Sequence, residues 1–392
     1  MKVAYFAESL EKDKDGVARV IYKMNDLNNA KNVESLYITS VPEESSDFNY
    51  FKTKSIPIPG YDGYRMSVSS VSKLTKIVQD YGPDLIHLHA PFAMGRAATL
   101  VARNLQIPCV STYHTHFASY LKYHKAEILE PIINNHIRQI YNNCDLNLIP
   151  SHSVMKDLDD IGVDNMEVLP HGVDNKLFNP DYFDPFFKTQ YGGKTLFLYV
   201  GRLVWEKNLR LMAEVFNQIY NNRNDFELLI VGNGPAEEEL KQILPRAKYL
   251  GFKKGIELST IYASCDALVF PSDTETFGNV TLEAMASGIC VLVANGGGSV
   301  DIVNDGKNGL KFHPKSFGEL YQKANLLLDD PFLRLVLRSN ALDRAEKFTW
   351  EVIHTQLLDY YNTLIEGNSN KFHSNYFVNA KKRFFSRALL HK

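Results

Sequence analysis

Short apolar runs alternate with amphipathic stretches along almost the whole chain. Val3 to Ala7, Ser35 to Thr39, Pro83 to His89 and Pro108 to Thr112 read as strands in the first half. Thr195 to Gly201, Glu227 to Val231, Tyr249 to Phe252, Ala267 to Phe270 and Ile289 to Ala294 read as strands in the second. They are too short for helices and rich in β-branched residues, as strands covered on both faces are. Between them, Ala18 to Leu27, Val68 to Asp80, Gly95 to Asn104, Tyr120 to Arg138 and a run ending near Tyr220 carry helical spacing. Near the end, Thr349 precedes Trp350, Ile353, Leu357, Tyr361 and Leu364, which share one helical face up to Gly367. Strand, loop, helix in repetition predicts an α/β protein with parallel sheets.

Two features organise this repetition into domains. Cys144-Asp145, four residues, then Pro150-Ser151 recurs as Cys265-Asp266, four residues, Pro271-Ser272. Each copy ends a strand and opens a polar loop before a helix, which predicts two similar α/β domains in tandem. Asn175 to Gly193 is rich in Asn, Asp, Pro and Phe and has no clear period, so it reads as a linker. The expected division is 1–178, a linker at 179–193, 194–348, and a C-terminal helix with a tail at 349–392. Val41 to Tyr64, broken by Pro42, Pro57, Pro59 and Gly60, reads as a variable loop region. His87 and His89 are expected to point to opposite faces of one strand. Asp305-Gly306 and Asn308-Gly309 mark a hairpin-like turn.

Composition narrows the function. The chain has 392 residues, 45% of them apolar, and a net charge of −2, so no global basic field addresses nucleic acid. Its four cysteines are scattered without metal-ligand spacing and read as buried free thiols. No apolar run approaches the roughly 20 residues of a membrane span, and the N-terminal run is too short for a signal peptide. A cytoplasmic protein is expected. The tail, 370–392, carries Lys371, Lys381, Lys382, Arg383, Arg387 and Lys392 with no acid, interleaved with Phe377, Phe384 and Phe385. It reads either as a helix packed on the N-terminal domain, as a frayed end, or as an interfacial segment on the inner face of the membrane.

The candidate chemistry sits at strand ends. After Ala267 to Phe270 comes a polar loop, then a helical run closed by Gly288. In open α/β sheets, ligands bind at the carboxyl ends of strands. Glu275 and Glu283 frame this segment, and Gly278 lets backbone approach a ligand. N–H groups around Phe277, Gly278 and Asn279 are available to an anion at the helix start. After Thr195 to Gly201, Arg202 and Lys207 place two cations at a strand-to-helix junction, where a diphosphate meets charge and helix dipole together. His114 stands just past Pro108 to Thr112 and can hydrogen-bond a hydroxyl or shift a proton. With His116 it forms an i, i+2 pair with no third ligand, so no metal is expected. Gly16 follows the first strand, and Gly296-Gly297-Gly298 either admits a phosphate or relieves crowding.

Glu275, seven residues and Glu283, in the wording P-S-x-T-E-T-F-G-N-V-x-L-E-A-M-A-S-G, resembles the Glu-x7-Glu motif of retaining glycosyltransferases of family 4. Arg202 and Lys207 match that family's diphosphate motif, G-R-x-x-x-E-K-N. The wording is similar to its α-mannosyltransferase and sulfoquinovosyltransferase-like members. The resemblance implies the GT-B fold: two Rossmann-like domains facing across a cleft, with a C-terminal helix crossing back to the N-terminal domain. It implies a GDP- or UDP-hexose donor, leaning to GDP-mannose, and a lipid, lipid-linked or glycan hydroxyl as acceptor. It implies Gly16 near the donor phosphate, His114 facing the donor sugar, Glu275 on its hydroxyls and Glu283 on the ribose. Phe252 and Lys253 are implied at the base, and no metal. A front-face mechanism is implied, in which the leaving phosphate takes the acceptor's proton. Asp157-Leu158-Asp159 spells the metal motif of the other glycosyltransferase fold but lies in a helical run, and reads as solvated surface. A phosphorylase or epimerase on this fold, and a non-catalytic sugar-nucleotide-binding subunit of an envelope complex, are the alternatives. The first lacks a cofactor lysine site, and the second would have tolerated loss of Arg202, Lys207, Glu275 or Glu283.

Overall fold

The computed structural model of the chain describes residues 1–11, 16–42, 48–57, 65–89, 91–114 and 130–367. It divides into two compact units. The first takes Met1–Pro150, Met155–Leu169 and the chain from His354 onward, and the second takes Ser151–Val154 and Pro170–Ile353.

The first unit is built on β1 (Lys2–Ser9), β2 (Glu34–Val41), β3 (Tyr50–Lys52), β6 (Leu85–Leu88), β7 (Cys109–Thr112), β8 (Leu146–Ile149) and β9 (Met166–Val168). These form one parallel sheet in the order β3-β2-β1-β6-β7-β8-β9. α1 (Gly16–Ala30), α2 (Val71–Tyr81), α3 (Ala93–Leu105) and α4 (Glu130–Tyr141) are its connecting helices, and α5 (His152–Asp160) follows β8. Every residue of β6, β7 and β8 is buried, as befits strands with both faces covered. The stretch read as a variable loop holds structure after all. Tyr50–Lys52 extends the sheet beside β2, and β4 (Ser55–Pro57) pairs antiparallel with β5 (Arg65–Ser67). Pro57 is tolerated because a two-stranded ribbon has only edges, where a missing N–H costs no ladder bond.

The histidines of β6 correct the expectation of opposite faces. His87 and His89 lie with ring centroids 4.2 Å apart. Side chains alternate along a strand, so positions two apart share a face. Their shared surroundings are polar and buried. His87 Nε2 is 2.7 Å from Thr112 Oγ1, and Nδ1 bonds the hydroxyl of Tyr361. Asn28 donates to Tyr5 Oη at 2.9 Å, and its carbonyl is 2.8 Å from His354 Nε2.

The second unit is built on β10 (Thr195–Val200), β11 (Phe226–Val231), β12 (Lys248–Gly251), β13 (Ala267–Phe270), β14 (Cys290–Ala294) and β15 (Leu310–Phe312). Its six-stranded sheet runs β12-β11-β10-β13-β14-β15, again parallel throughout. Its helices are α6 (Pro185–Thr189), α7 (Leu209–Asn222), α8 (Glu237–Ile243), α9 (Gly255–Ser264), α10 (Asn279–Ala286), α11 (Ser299–Ile302), α12 (Phe317–Asp329) and α13 (Pro331–Ala345). The turn at Asp305–Gly309 forms, but β15 lies parallel to β14, so it is not a hairpin. The residues read as a linker, 179–193, are ordered against this sheet. Asp184 N–H donates to Ser264 Oγ at 2.9 Å, and Lys188 Nζ reaches both Asp266 oxygens at 2.7 and 2.9 Å.

α14 (Trp350–Ile365) starts in the second unit and continues in the first. Ile353, Leu357, Tyr361 and Leu364 are all buried, on the face the spacing predicts. Where it begins, Gly172 lies so close that a Cβ would sit 2.6 Å from Trp350 Cα. All four cysteines are buried free thiols, as expected.

The buried imidazoles make the first unit acid-sensitive. Burial lowers His87 to about 3 and pushes His89 well below the usual histidine range, with each also depressed by a neighbouring imidazole. Both are neutral in the fold and take up protons only when unfolded, below about pH 6.5. Their contribution is therefore complete above that pH and is lost as pH falls toward the folded values. Each should withdraw about 1.4 kcal/mol per pH unit in that window. Urea unfolding at pH 7.5 and 5 should show the midpoint falling, with proton uptake on unfolding at pH 5. The His87→Gln variant should show a shallower pH slope than the parent.

Candidate functional site

In the second unit, strand order reverses between β10 and β13. β11 and β12 follow β10 on one side, while β14 and β15 follow β13 on the other. A crevice opens at the carboxyl ends of strands at such a switch point, and the two cationic and acidic motifs meet there. Lys207 ends a 3-10 turn, Trp205–Lys207, in the loop after β10. Its Nζ lies 2.5 Å from Glu275 Oε1 in the loop after β13. The two side chains are 19% and 24% exposed, so the pair is partly desolvated yet reachable. Ser272 Oγ also lies 3.4 Å from that carboxylate oxygen. Arg202 is exposed and makes no side-chain hydrogen bond or ion pair among the described residues. Asn208, with φ +57°, opens α7 and donates to the carbonyls of Pro271 (3.4 Å) and Pro314 (2.7 Å). That amide fastens the Lys207 loop to the loop that carries Glu275.

Glycines set how closely these loops nest. Gly278 has φ +100° at the start of α10, and a Cβ there would be 2.5 Å from Ser299 Oγ. At Gly298 a Cβ would be 2.3 Å from Phe277 Cα, and the Gly298 N–H donates to Glu275 O at 2.7 Å. Crowding thus accounts for the glycine run after β14. Ser151 Oγ donates to Thr276 O at 2.7 Å, and Asn279 Oδ1 lies 3.2 Å from His171 Nδ1. The Phe277 side chain is buried, so only its backbone can face a ligand. Glu283, in the second turn of α10, accepts from the Tyr262 hydroxyl at 3.0 Å. Burial, with that carboxylate beside it, holds the Tyr262 phenol well above its usual range, so it stays protonated as a donor.

A similar nesting joins β10 to β12. A Cβ on Gly232, φ +134°, would fall 1.9 Å from Gly201 O, and the Gly232 N–H donates to Gly251 O at 2.9 Å. Beyond Gly251, Phe252 is exposed and Lys253 pairs with Glu257. These two stand at the end of β12, separated from Arg202 and Lys207 by β11.

In the first unit, Gly16 begins α1, the next described element after β1. His114 lies two residues past β7, half-buried, with Nε2 2.9 Å from His89 Nδ1. His116 and the basic tail lie outside the described residues. Among the described residues, no group of three or more His, Cys, Asp or Glu could hold a metal ion, and no helix is long and apolar enough to cross a membrane. Sequence reasoning missed His89, Asn208 and Tyr262. The period-two rule would have put His89 beside His87, and Asn is among the residues that most readily take a positive φ. Nothing in the sequence pairs Tyr262 with Glu283.

The pattern of the family described as glycosyl transferases group 1 matches residues 183–344, and that of Glycosyltransferase Family 4 matches 14–177. The chain is 32% identical to a GDP-mannose-dependent alpha-mannosyltransferase of Corynebacterium glutamicum, over 93% of this chain and 89% of that protein. It is also 32% identical to the sulfoquinovosyl transferase SQD2 of Arabidopsis thaliana, over 81% of this chain but only 64% of that protein. Anabaena Alr3699/HepE, solved in complex with UDP, superposes with a TM-score of 0.76 over 93% of this chain and 100% of its own, at 19% identity. That likeness shows the fold alone, and it is the GT-B fold that the motifs imply. Motifs, family patterns and the extended likeness to the Corynebacterium enzyme agree: the chain belongs to glycosyltransferase family 4.

Proposed function

We propose that the protein is a retaining hexosyltransferase. It moves a hexose, mannose from GDP-mannose in the first instance, to a hydroxyl of a lipid, lipid-linked or glycan acceptor. The observation that carries this reading is the Lys207–Glu275 pair, 2.5 Å apart, in the same loops as exposed Arg202. A diphosphate entering here meets Arg202 and competes with Glu275 for Lys207. Glu275, released from part of its ion pair, is then free to accept from sugar hydroxyls. Glu283 takes the ribose, held toward it by the Tyr262 hydroxyl. N–H groups from Phe277 to Asn279 add donors at the start of α10. Phe252 backs the base with Lys253 beside it, Gly16 lies near the donor phosphate, and His114 hydrogen-bonds the donor sugar.

In this reading the acceptor oxygen attacks the anomeric carbon on the face the phosphate leaves. The bond from that carbon to the phosphate oxygen breaks, and the acceptor's proton passes to the departing nucleoside diphosphate. Negative charge grows on the β-phosphate as this happens, so Arg202 and Lys207 act mainly in the transition state. The guanine donor is supported by the likeness to the GDP-mannose-dependent enzyme of Corynebacterium. The basic residues of 370–392 support contact with anionic lipid at the inner face of the membrane.

Three measurements test this. Glu275→Ala should lower kcat roughly a hundredfold, the loss of charge-assisted bonds to the sugar, while GDP binding stays within about threefold of the parent. Full transfer activity in that variant would sink the assignment. In a thermal-shift panel, GDP and GDP-mannose at about a hundred times Kd should raise Tm by a few degrees. A response to UDP-sugars alone replaces the donor and keeps the reaction, whereas silence from both overturns it. Deleting 370–392 should reduce co-sedimentation with vesicles containing phosphatidylserine. Unchanged sedimentation removes the membrane contact from the proposal.

A further inference from the structure

Strand order reverses in the first unit as well, between β1 and β6. β2 and β3 follow β1 on one side, while β7, β8 and β9 follow β6 on the other. The carboxyl ends of strands at such a reversal are where ligands enter. In the second unit the loop after the first strand brings two cations there, Arg202 and Lys207. In the first unit the end of the first strand brings an anion, Glu8, which the transfer reaction leaves unused.

Glu8 is the last residue but one of β1 and is half-buried. Its carboxylate is fixed from two elements. Oε1 accepts from the N–H of Met94, the second residue of α3, at 2.9 Å. Oε2 accepts from the N–H of Ser67, the last residue of β5, at 3.2 Å. Its main-chain oxygen accepts from Ser40 Oγ at 2.6 Å and from Thr39 Oγ1 at 3.3 Å, so the backbone that carries the side chain is held too. Burial pushes the carboxyl above the usual carboxylate range, and the two N–H bonds oppose that rise. No lysine, arginine or histidine among the described residues pairs with it or offsets its charge.

Capping α3 does not account for this carboxylate. A serine or asparagine at position 92, where Phe92 makes no side-chain cap, would serve the helix locally and without a charge. An ionised carboxylate offers about four lone-pair directions, and the two N–H groups take one on each oxygen. Those left over, on a fixed and partly open group, are suited to accept from hydroxyls. The same charge repels an anion. The start of α3, whose N–H groups would otherwise draw a phosphate, is already filled by Glu8. His114, also half-buried, stands at this end of the sheet, two residues past β7, the neighbour of β6.

We propose that Glu8 is an acceptor-binding residue: its carboxylate takes the hydroxyls of an uncharged polyol head group, sugar or glycerol, and turns away acceptors that carry phosphate there. The term acceptor rests on the glycosyltransferase reading. Binding of an uncharged polyol at Glu8 does not.

The test is saturation-transfer NMR on the full-length protein, with excess GDP to occupy the cations of the second unit. Three probes are compared: n-octyl glucoside, monooctanoylglycerol and n-octyl phosphate. The parent should bind at least one uncharged probe, and n-octyl phosphate roughly tenfold more weakly. Signal from the glucoside alone assigns a sugar head group, and signal from the glycerol ester alone a glycerol one. In Glu8→Gln, folded by its thermal transition, the uncharged probe should lose about tenfold in affinity as a charge-assisted bond is removed, while n-octyl phosphate gains. A residue that only caps α3 would not exchange the preference in this way. Binding of neither uncharged probe by the parent overturns the proposal, as does tighter binding of n-octyl phosphate, and neither result needs a variant. An unaltered preference in folded Glu8→Gln overturns it too. In transfer assays Glu8→Gln should raise KM for the bound polyol about tenfold, with the GDP-induced thermal shift unchanged. If the polyol binds as expected but accepts no sugar from a GDP- or UDP-hexose, the transferase reading fails and the Glu8 site stands.

Discussion

In the second unit, backbone approaches backbone more closely than a side chain would permit. Gly232 against Gly201, Gly234 against Leu203 and Gly298 against Phe277 all leave less than 2.5 Å for a Cβ. Real Cβ atoms do not survive such distances, so these positions are reserved for glycine by space alone. The consequence is geometric. Loops leaving β10, β11, β13 and β14 fold down onto one another, and the cation after β10 comes within bonding distance of the acid after β13. An ordinary residue at any of these points would lift one loop and part Lys207 from Glu275 without touching either.

The first unit solves a different problem. Its sheet centre contains imidazoles and phenols where a parallel sheet ordinarily carries aliphatics. Each buried polar atom needs a partner, and most of them find it in a neighbour of the same cluster. Tyr361 supplies one of those partners from the C-terminal helix, so the last described helix is bound by hydrogen bonding as well as by its apolar face. Such networks are demanding. A half-satisfied one is worse than an apolar core.

What could be read from the sequence follows from how local the determinants are. Glu275, Gly278 and Glu283 lie in one strand-loop-helix segment, so their spacing alone carries the pattern. Arg202 and Lys207 are legible for the same reason. The strand-helix alternation is legible because parallel strands must be apolar through their length. Tyr50–Lys52 was hidden because three residues are too few to display a period. The ordering of 179–193 was hidden because it depends on Lys188 meeting Asp266, 78 residues later. Pairing His89 with His114 required knowing that β6 and β7 are neighbours. Side by side, their carboxyl ends bring two unrelated histidines into contact.

The seating of 179–193 bears on how this chain can be divided. Asp266 accepts from Lys188 Nζ and from the N–H of Leu196, the second residue of β10. Its carboxylate is only 18% exposed. A recombinant fragment begun at β10 would strip away the ammonium and strand a nearly enclosed anion at the root of the first strand. It would also uncover Tyr262, against whose ring Phe178 now packs edge-on at 5.7 Å. The compact second unit takes in the chain from Pro170 onward, well before the first residue that looks like a sheet.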